Sequence, residues 1–155
     1  MTRPTEWRRN ITVAPNTGRV LIVDDEEILA VELAEMLEAA GIACLCVGSA
    51  EEALALIAER HDIAAVVTDL KMPDLNGLQL LRTMRKRGHW HSVIIMSGHV
   101  DQGERELALE LGALSYLAKP CDICALPQLL RRYVFEKRAG VEADHAARLK
   151  LPRSA

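Results

Sequence analysis

No run of apolar residues in this sequence approaches the roughly 20 residues needed to span a bilayer, although hydrophobic residues make up 50% of the chain. The first residues, MTRPTEWRR, also lack the apolar centre of a secretory signal peptide. These two absences argue against a membrane partner and against export. We therefore expect a soluble, cytoplasmic protein.

A strong charge of one sign is missing as well. The formal net charge is −3 over 155 residues, with basic and acidic residues spread along the chain. Such a balance gives no electrostatic reason to expect direct contact with nucleic acid.

Cysteine is scarce, and its spacing does not match a metal or redox centre. Cys121 and Cys124 form a single Cys-x-x-Cys pair, whereas a zinc site needs a second pair of ligands and a redox pair needs a thioredoxin-like context. Cys44 and Cys46 alternate within an apolar run. We interpret them as buried, small hydrophobic residues of a strand.

What the sequence does contain is a regular alternation of short apolar runs and helical patterns. The runs predict strands over 19–23, 43–47, 63–68, 93–96 and 114–118. The patterns between and after them predict helices over 26–40, 50–60, 77–87, 104–111 and 126–138. Five such alternations predict an α/β fold, a five-stranded parallel sheet doubly wound with helices on both faces. Residues 1–18 are expected to be an N-terminal extension and 139–155 a C-terminal tail around a domain over 19–138.

Local signals mark several of the helix ends. Ser49 followed by Glu52 predicts a capped start for the second helix, and Gly41 lies where the first helix is expected to end. Pro127 would remove a hydrogen bond if the last helix began well before it. We therefore predict that the regular helix begins near Leu126, with 121–125 as a loop or a separate short turn.

Acidic residues follow the first and third predicted strands. Asp24 and Asp25 follow the first, and Asp69 follows the third. In the strand order 2-1-3-4-5 these two strands are neighbours, roughly 5 Å apart. Two carboxylates 4 Å apart repel by about 4 kcal/mol at an effective dielectric constant of 20. A hard divalent cation relieves this repulsion, and Mg²⁺ fits best because it needs few carboxylates and leaves room for phosphate oxygens.

The ends of the last two strands supply donors and a positive charge. Ser97 offers a hydroxyl group, Gly98 an uncrowded backbone N–H, and Lys119 a long side chain that can reach the carboxylates. A carboxylate nucleophile, a metal ion, a hydroxyl group, an amide and an ammonium group together suit phosphoryl transfer onto Asp69.

These motifs resemble the receiver domain of response regulators in two-component signalling, the CheY-like, flavodoxin-like fold. The resemblance covers about residues 19–138. It is carried by Asp24-Asp25, by Asp69-Leu70-Lys71-Met72-Pro73 followed by Gly77, by Ser97, by Gly112-Ala113, and by Tyr116-Leu117-Ala118-Lys119-Pro120.

The resemblance implies a role for each matching residue. Asp69 would accept the phosphoryl group. Mg²⁺ would be bound by Asp25, Asp69 and the backbone carbonyl of Lys71, and by Asp24 through water. Ser97 would be the switch hydroxyl, Tyr116 the aromatic residue whose rotamer follows it, and Lys119 the phosphate contact. The Lys119–Pro120 bond resembles the cis peptide of the family. Lys71 and His99 would flank the path of the hydrolytic water and tune the lifetime of the phosphoryl group.

Tyr116 is equally well explained as core packing. The basic pairs of the last helix, Arg131-Arg132 and Lys137-Arg138, either face solvent or pair with acidic residues of the preceding helix, Glu104, Glu106 and Glu110.

The resemblance also implies partners and an output. A sensor histidine kinase or a histidine phosphotransfer protein would supply the phosphoryl group. The residues after Gly140 are too few for an output domain, so we expect a single-domain regulator that catalyses only its own phosphorylation and dephosphorylation. Its last two helices and last strand would bind a partner or form a homodimer, through exposed apolar residues such as Tyr133 or Val134.

Three other classes remain for comparison. An enzyme of the haloacid-dehalogenase type needs Asp-x-Asp after the first strand, and a nucleotide-binding domain needs a glycine-rich first turn. The sequence there reads Asp24-Asp25-Glu26-Glu27 and fits neither. The stronger alternative is a receiver-like module that binds partners whether or not it is phosphorylated.

Overall fold

The computed structural model describes residues 18–120 and 122–136, and it contains every strand and helix that the sequence predicts. The strands are β1 (Arg19–Val23), β2 (Cys44–Val47), β3 (Ile63–Asp69), β4 (Ser92–Ser97) and β5 (Ser115–Ala118). The helices are α1 (Glu27–Ala39), α2 (Ala50–Glu59), α3 (Gly77–Lys86), α4 (Gln102–Glu110) and α5 (Leu126–Leu130). Apart from Gly18, the predicted extension and tail lie outside the described residues, as does Cys121.

The five strands form one parallel sheet in the order β2-β1-β3-β4-β5, which confirms the predicted topology. The register places Val23 opposite Thr68, and Ser97 opposite Ala118. The carboxyl ends of β1, β3, β4 and β5 therefore meet along one edge of the sheet. This edge is where a doubly wound sheet binds its ligands.

The core lies in two layers, one on each face of the sheet. One layer contains Leu21 and Val23 of β1 with residues of α2, α3 and α4, and the other contains Val20 and Ile22 with residues of α1 and α5. Successive β1 residues thus point to opposite faces, and both faces are covered, as a parallel sheet requires.

The interpretation of the strand cysteines is confirmed. Cys44 and Cys46 are 2% and 5% exposed. Burial, with a smaller effect from the neighbouring Cys46, raises the pKa of the Cys44 thiol far above its ordinary value. Both groups therefore behave as apolar core residues.

Side chains cap the first turns of α2 and α3. The Ser49 hydroxyl accepts from the Glu52 N–H at 3.2 Å, as the sequence predicts. Asn76 and Gln79 form a full capping box at α3, with bonds of 2.9 and 2.8 Å. The α3 cap fixes the entry into the helix that follows the β3 loop.

The last part of the described chain departs from a regular helix. A 3₁₀ turn over Ile123–Ala125 precedes α5, which begins at Leu126, as predicted from Pro127. The predicted last helix is a regular α-helix only as far as Leu130, because a π-helical turn over Arg131–Phe135 follows it. Residues 137–138 of this prediction lie outside the described residues. Sequence spacing could not reveal this turn, because the buried residues Leu126, Leu130 and Val134 recur every fourth position and indicate only a helical face.

The apolar surface expected on the last helix is only half correct. Tyr133 is 47% exposed, whereas Val134 is 3% exposed and packs in the core. Neighbouring helical residues point in directions about 100° apart, so Val134 can lie against the core while Tyr133 faces solvent. None of the helices within the described ranges is long and apolar enough to cross a membrane.

The Arg85 side chain joins three segments at the end of the domain remote from the carboxylate edge. Its Nε and Nη2 atoms donate to the carbonyls of Leu111 and Gly112, at 3.0 and 3.1 Å. Its Nη1 atom donates to the carbonyls of His89 and His91, at 2.9 and 3.0 Å. One guanidinium group thus connects α3, the turn before β4 and the turn after α4.

We expect Arg85→Ala to lower the free energy of unfolding by about 2–3 kcal/mol, since hydrogen bonds from a charged donor contribute roughly that amount when lost. Urea denaturation measures the change. The matched control is Arg82→Ala, an exposed arginine of the same helix, which we expect to change stability by less than about 0.5 kcal/mol. Equal losses for the two variants would contradict the structural role of Arg85.

Candidate functional site

Three carboxylates converge at the carboxyl edge of the sheet. Asp24 and Asp25 follow β1, and Asp69 is the last residue of β3. One oxygen atom of each residue lies within 4.8 Å of those of the other two. Asp24 is 2% and Asp69 9% exposed, while Asp25 is open to solvent. The predicted convergence is therefore present, with one side of the cluster accessible.

The Lys119 side chain reaches into the same cluster. Its Nζ atom lies 3.3 Å from Asp69 Oδ1 and 3.5 Å from Asp24 Oδ2, and the side chain is 19% exposed. The other oxygen of Asp24, Oδ1, accepts from the Glu26 N–H at 2.9 Å. A single ammonium group thus contacts two of the three carboxylates, and the cluster is negative when all three are ionised.

Burial raises the pKa of the Asp69 carboxyl above its ordinary value. The positive charge of Lys119 lowers this pKa, and the negative charge of Asp24 raises it again. The net shift is upward, because desolvation outweighs the attraction of one ammonium group. Ionisation of Asp69 is therefore less favourable in this site than in water, and additional positive charge would reduce the free-energy cost of ionisation.

These residues fit a bound Mg²⁺ ion. The three oxygen donors are close enough together to share one cation, the cluster has an excess of negative charge, and Asp25 gives access from solvent. Hard oxygen ligands of this kind are those that Mg²⁺ prefers. Lys71, whose backbone carbonyl is the remaining predicted ligand, lies on the loop directly after β3 with its side chain exposed.

The tip of β4 lies beside this cluster. Asp69 is opposite Met96 in the register, so Ser97 is one residue beyond it, and Ser97 is 1% exposed. The Ser97 hydroxyl donates to the His99 carbonyl at 2.6 Å and accepts from the His99 N–H at 3.2 Å. It is therefore bonded to its own loop, while Gly98 and His99 themselves are exposed.

Tyr116 lies within β5 and is 3% exposed, in the core layer that contains α3 and α4. Its hydroxyl donates to Glu104 Oε2 at 3.4 Å. Tyr116 is thus a core residue whose hydroxyl group contacts α4, and its role as the switch aromatic residue stays a prediction.

The arginines of the last helical segment have other partners than the acidic residues of α4. The Arg131 guanidinium donates to the Ala40 carbonyl. The Arg132 guanidinium lies over the ring of Tyr133, 5.5 Å from the ring centroid. Among the described residues, no ion pair joins Arg131 or Arg132 to Glu104, Glu106 or Glu110. Lys137 and Arg138 lie outside the described residues.

Gly77, which the sequence singles out only as part of the family motif, shapes the site through its lack of a side chain. A Cβ atom on Gly77 would lie 2.6 Å from the backbone carbonyl oxygen of Asp69. The Gly77 N–H also donates to the Leu70 carbonyl at 2.9 Å. Only glycine allows α3 to begin this close to the acidic strand end. The sequence predicts this helix start correctly at residue 77, and the capping box of Asn76 and Gln79 is a local signal for it.

The family model of the response regulator receiver domain matches residues 20–131. The chain is 38% identical over 131 residues to the transcriptional regulatory protein PmrA of Pectobacterium parmentieri, covering 82% of this chain and 59% of that protein. It is 35% identical over 117 residues to the transcriptional regulatory protein FixJ of Azorhizobium caulinodans, covering 76% and 55%. The chain spans little more than half the length of these curated relatives.

Solved structures agree with the sequence comparisons. A response regulator receiver domain protein from Clostridium thermocellum superposes with a TM-score of 0.72 at 32% identity, over 79% of this chain and 98% of that one. A response regulator receiver protein from Pseudomonas putida gives a TM-score of 0.72 at 32% identity, over 77% and 99%. The family match over residues 20–131 includes all five strands apart from Arg19, the first residue of β1, and the whole carboxylate edge. This chain therefore belongs to the response regulator receiver domain family.

Proposed function

We propose that this chain accepts a phosphoryl group on Asp69 in a Mg²⁺-dependent reaction and signals through the surface formed by α4, β5 and α5. The observation that carries the proposal is the contact of Lys119 Nζ with Asp69 Oδ1, at 3.3 Å, inside a cluster of three carboxylates. An aspartate held beside an ammonium group and further acidic ligands has the groups that phosphoryl transfer requires.

In the proposed reaction a carboxylate oxygen of Asp69 attacks the phosphorus atom, and the bond between phosphorus and the donor breaks. The donor leaves with the electron pair of that bond. Lys119 offsets negative charge on the phosphoryl oxygens, and Gly98 and Ser97 supply an N–H and a hydroxyl donor. A Mg²⁺ ion bound by Asp25, Asp69 and the Lys71 carbonyl, and through water by Asp24, would neutralise the remaining charge.

The donors and the output are part of the same proposal. A sensor histidine kinase or a histidine phosphotransfer protein would deliver the phosphoryl group from a histidine nitrogen. Movement of Ser97 and Tyr116 would then change the surface of α4, β5 and α5, where Tyr133 is 47% exposed. That surface would bind a partner or a second copy of the chain.

Acetyl phosphate provides a direct test, because it needs no partner protein. We expect the chain to gain the mass of one phosphoryl group when incubated with acetyl phosphate and Mg²⁺, and to gain none when the metal is chelated. Intact-mass spectrometry distinguishes these states. A chain that acts only as a phosphorylation-independent binding module would show no gain under either condition.

Lys71 and His99 are both exposed and both follow a strand tip of the site by two residues. We expect the phosphoryl lifetime to change at least about two-fold in Lys71→Ala or His99→Ala, because each side chain would flank the approach of water to the acyl phosphate. A two-fold change corresponds to about 0.4 kcal/mol in the barrier. The decay of the phosphorylated mass after removal of acetyl phosphate measures this lifetime. If neither variant alters the decay, the two residues have no role in it.

A further inference from the structure

Trp90 is the most exposed aromatic residue of the described chain. It lies on the turn between α3 and β4, at the end of the domain remote from the carboxylate edge, and it is 74% exposed. The Arg85 guanidinium lies over its ring, 5.2 Å from the ring centroid, and that guanidinium is itself held by four backbone carbonyls. The ring is therefore supported on one side and open to solvent elsewhere. A large aromatic side chain held in this way loses little freedom on binding, which is typical of an interface anchor.

The surface around Trp90 is positively charged. The sequence from 75 to 100 contains four lysine and arginine residues and no aspartate or glutamate. Three of these cations, Arg82, Lys86 and Arg87, are exposed on α3 or at its end. An exposed aromatic residue beside several cations suits a partner surface that is apolar at its centre and acidic around it.

A groove with these properties lies at the opposite end of the same chain. It is a cavity of about 220 Å³ between α1 and the segment that follows β5. Most of its lining is apolar and consists of Leu29, Leu33, Met36, Met96 and Ile123. Asp24, Glu32 and Lys119 complete the lining. A cavity of roughly 150 Å³ accepts a benzene ring, and small-molecule sites begin at about 300 Å³. The groove thus has the size for one aromatic side chain.

The surroundings of the groove are acidic. Residues 20–59, which include α1, contain ten aspartate and glutamate residues and no lysine or arginine. Glu32 is exposed at the groove, and the Lys119 ammonium group already contacts two carboxylates of the candidate site. The groove therefore attracts cations, so that Trp90 and the cations beside it complement the groove in both size and charge.

We propose that this chain associates head to tail, with Trp90 of one copy bound in the groove between α1 and the segment after β5 of the next copy. The two complementary surfaces lie at opposite ends of the domain, so the contact is heterologous. Each pair leaves one Trp90 and one groove available, and assembly continues to a chain or a closed ring instead of stopping at a dimer. The inference requires neither Mg²⁺ nor phosphorylation and does not depend on the proposed function.

Sedimentation equilibrium of the full chain, at concentrations up to about 1 mM, measures this association. We expect species larger than a dimer, and higher salt should weaken the association because part of the attraction is between exposed charges. Trp90→Ala should weaken it at least about tenfold, as expected for an interface anchor. Leu29→Arg should have a similar effect, since Leu29 is 39% exposed at the groove and an arginine there would obstruct the groove and repel the incoming cations.

Ile28→Arg is the matched control for Leu29→Arg. Ile28 is the preceding residue of α1, is 74% exposed and does not line the groove. The substitution introduces the same charge on the same helix. We expect the association of this variant to equal that of the wild type within about twofold.

A mixture of Trp90→Ala and Leu29→Arg chains tests the direction of the contact. The Leu29→Arg chain keeps its tryptophan and the Trp90→Ala chain keeps its groove, so one copy of each should form a dimer that cannot grow further. Formation of this dimer also shows that both variants are folded.

Three results would overturn the inference. The first is a wild-type chain that stays monomeric over the whole concentration range or stops at a dimer. The second is an equal loss of association in Ile28→Arg and Leu29→Arg, and the third is a mixture of the two complementary variants that forms no dimer. Each of them leaves the proposed function intact, because uptake of a phosphoryl group from acetyl phosphate is measured separately.

Discussion

Asp69→Asn is expected to abolish phosphoryl uptake from acetyl phosphate. The substitution replaces the attacking carboxylate oxygen with an amide of nearly the same shape, so the nucleophile is lost while the packing around it is kept. Intact-mass spectrometry after incubation with acetyl phosphate and Mg²⁺ should show no mass gain in this variant. A retained gain would show that another residue accepts the phosphoryl group.

Asp74→Asn is the matched control for this loss. Asp74 is an exposed aspartate on the loop after β3, with a positive φ of 65°, a conformation that asparagine adopts as readily as aspartate. The substitution makes the same chemical change five residues along without strain. We expect it to take up the phosphoryl group as the wild-type chain does.

The stability of Asp69→Asn distinguishes loss of the nucleophile from misfolding of the variant. The pKa of the Asp69 carboxyl is raised in the folded protein, chiefly by burial. A group of this kind favours folding when it is protonated, and that contribution is lost as the pH rises through its folded pKa. At neutral pH without divalent metal, Asp69→Asn should therefore be at least as stable as the wild type.

Lys119→Met is expected to lower the free energy of unfolding at neutral pH, without divalent metal, by about 3 kcal/mol, the cost of leaving a buried charge without its partner. The Lys119 ammonium group faces Asp69 at 3.3 Å and Asp24 at 3.5 Å, and both carboxylates are buried. Methionine keeps the apolar length of the side chain and removes its charge. Urea denaturation measures the loss.

The loss of unfolding free energy in Lys119→Met should depend on pH. Without the ammonium group, the pKa of Asp69 rises further, because the interaction that lowers it is gone. The destabilisation is then greatest above that pKa and shrinks as the pH falls and Asp69 takes up a proton. A loss of equal size at neutral and mildly acidic pH would indicate lost packing rather than unpaired charge.

Lys86→Met serves as the matched control. Lys86 is exposed at the end of α3, far along the helix from the carboxylate edge. Replacement of this surface cation should change stability by less than about 0.5 kcal/mol at either pH.

Local pattern was sufficient to predict most of the fold. The run from Ile63 to Thr68 is apolar on both faces and forms a central strand, because a parallel strand covered by helices must bury every side chain. Pro127 located the start of α5, since proline is accepted only in the first turn of a helix. Both features depend on interactions within a few neighbouring residues. The local sequence is therefore enough to predict them.

The convergence of the carboxylates was also predictable, because the carboxyl ends of neighbouring parallel strands lie at one edge of a sheet. The sequence alone thus determined the α/β fold, its strand order and the acidic cluster of Asp24, Asp25 and Asp69. It could not determine that Asp69 is buried while Asp25 is open to solvent, nor which oxygen atoms face Lys119.

Contacts between distant segments were decided only by the tertiary structure. The four carbonyls around Arg85 come from two separate turns, and the Glu104 carboxylate meets Tyr116 rather than an arginine. Val134 faces the core and Tyr133 the solvent because of how the last helix rests on the sheet. Periodicity fixes which residues share a face, but the partner of each side chain depends on how the elements pack against one another.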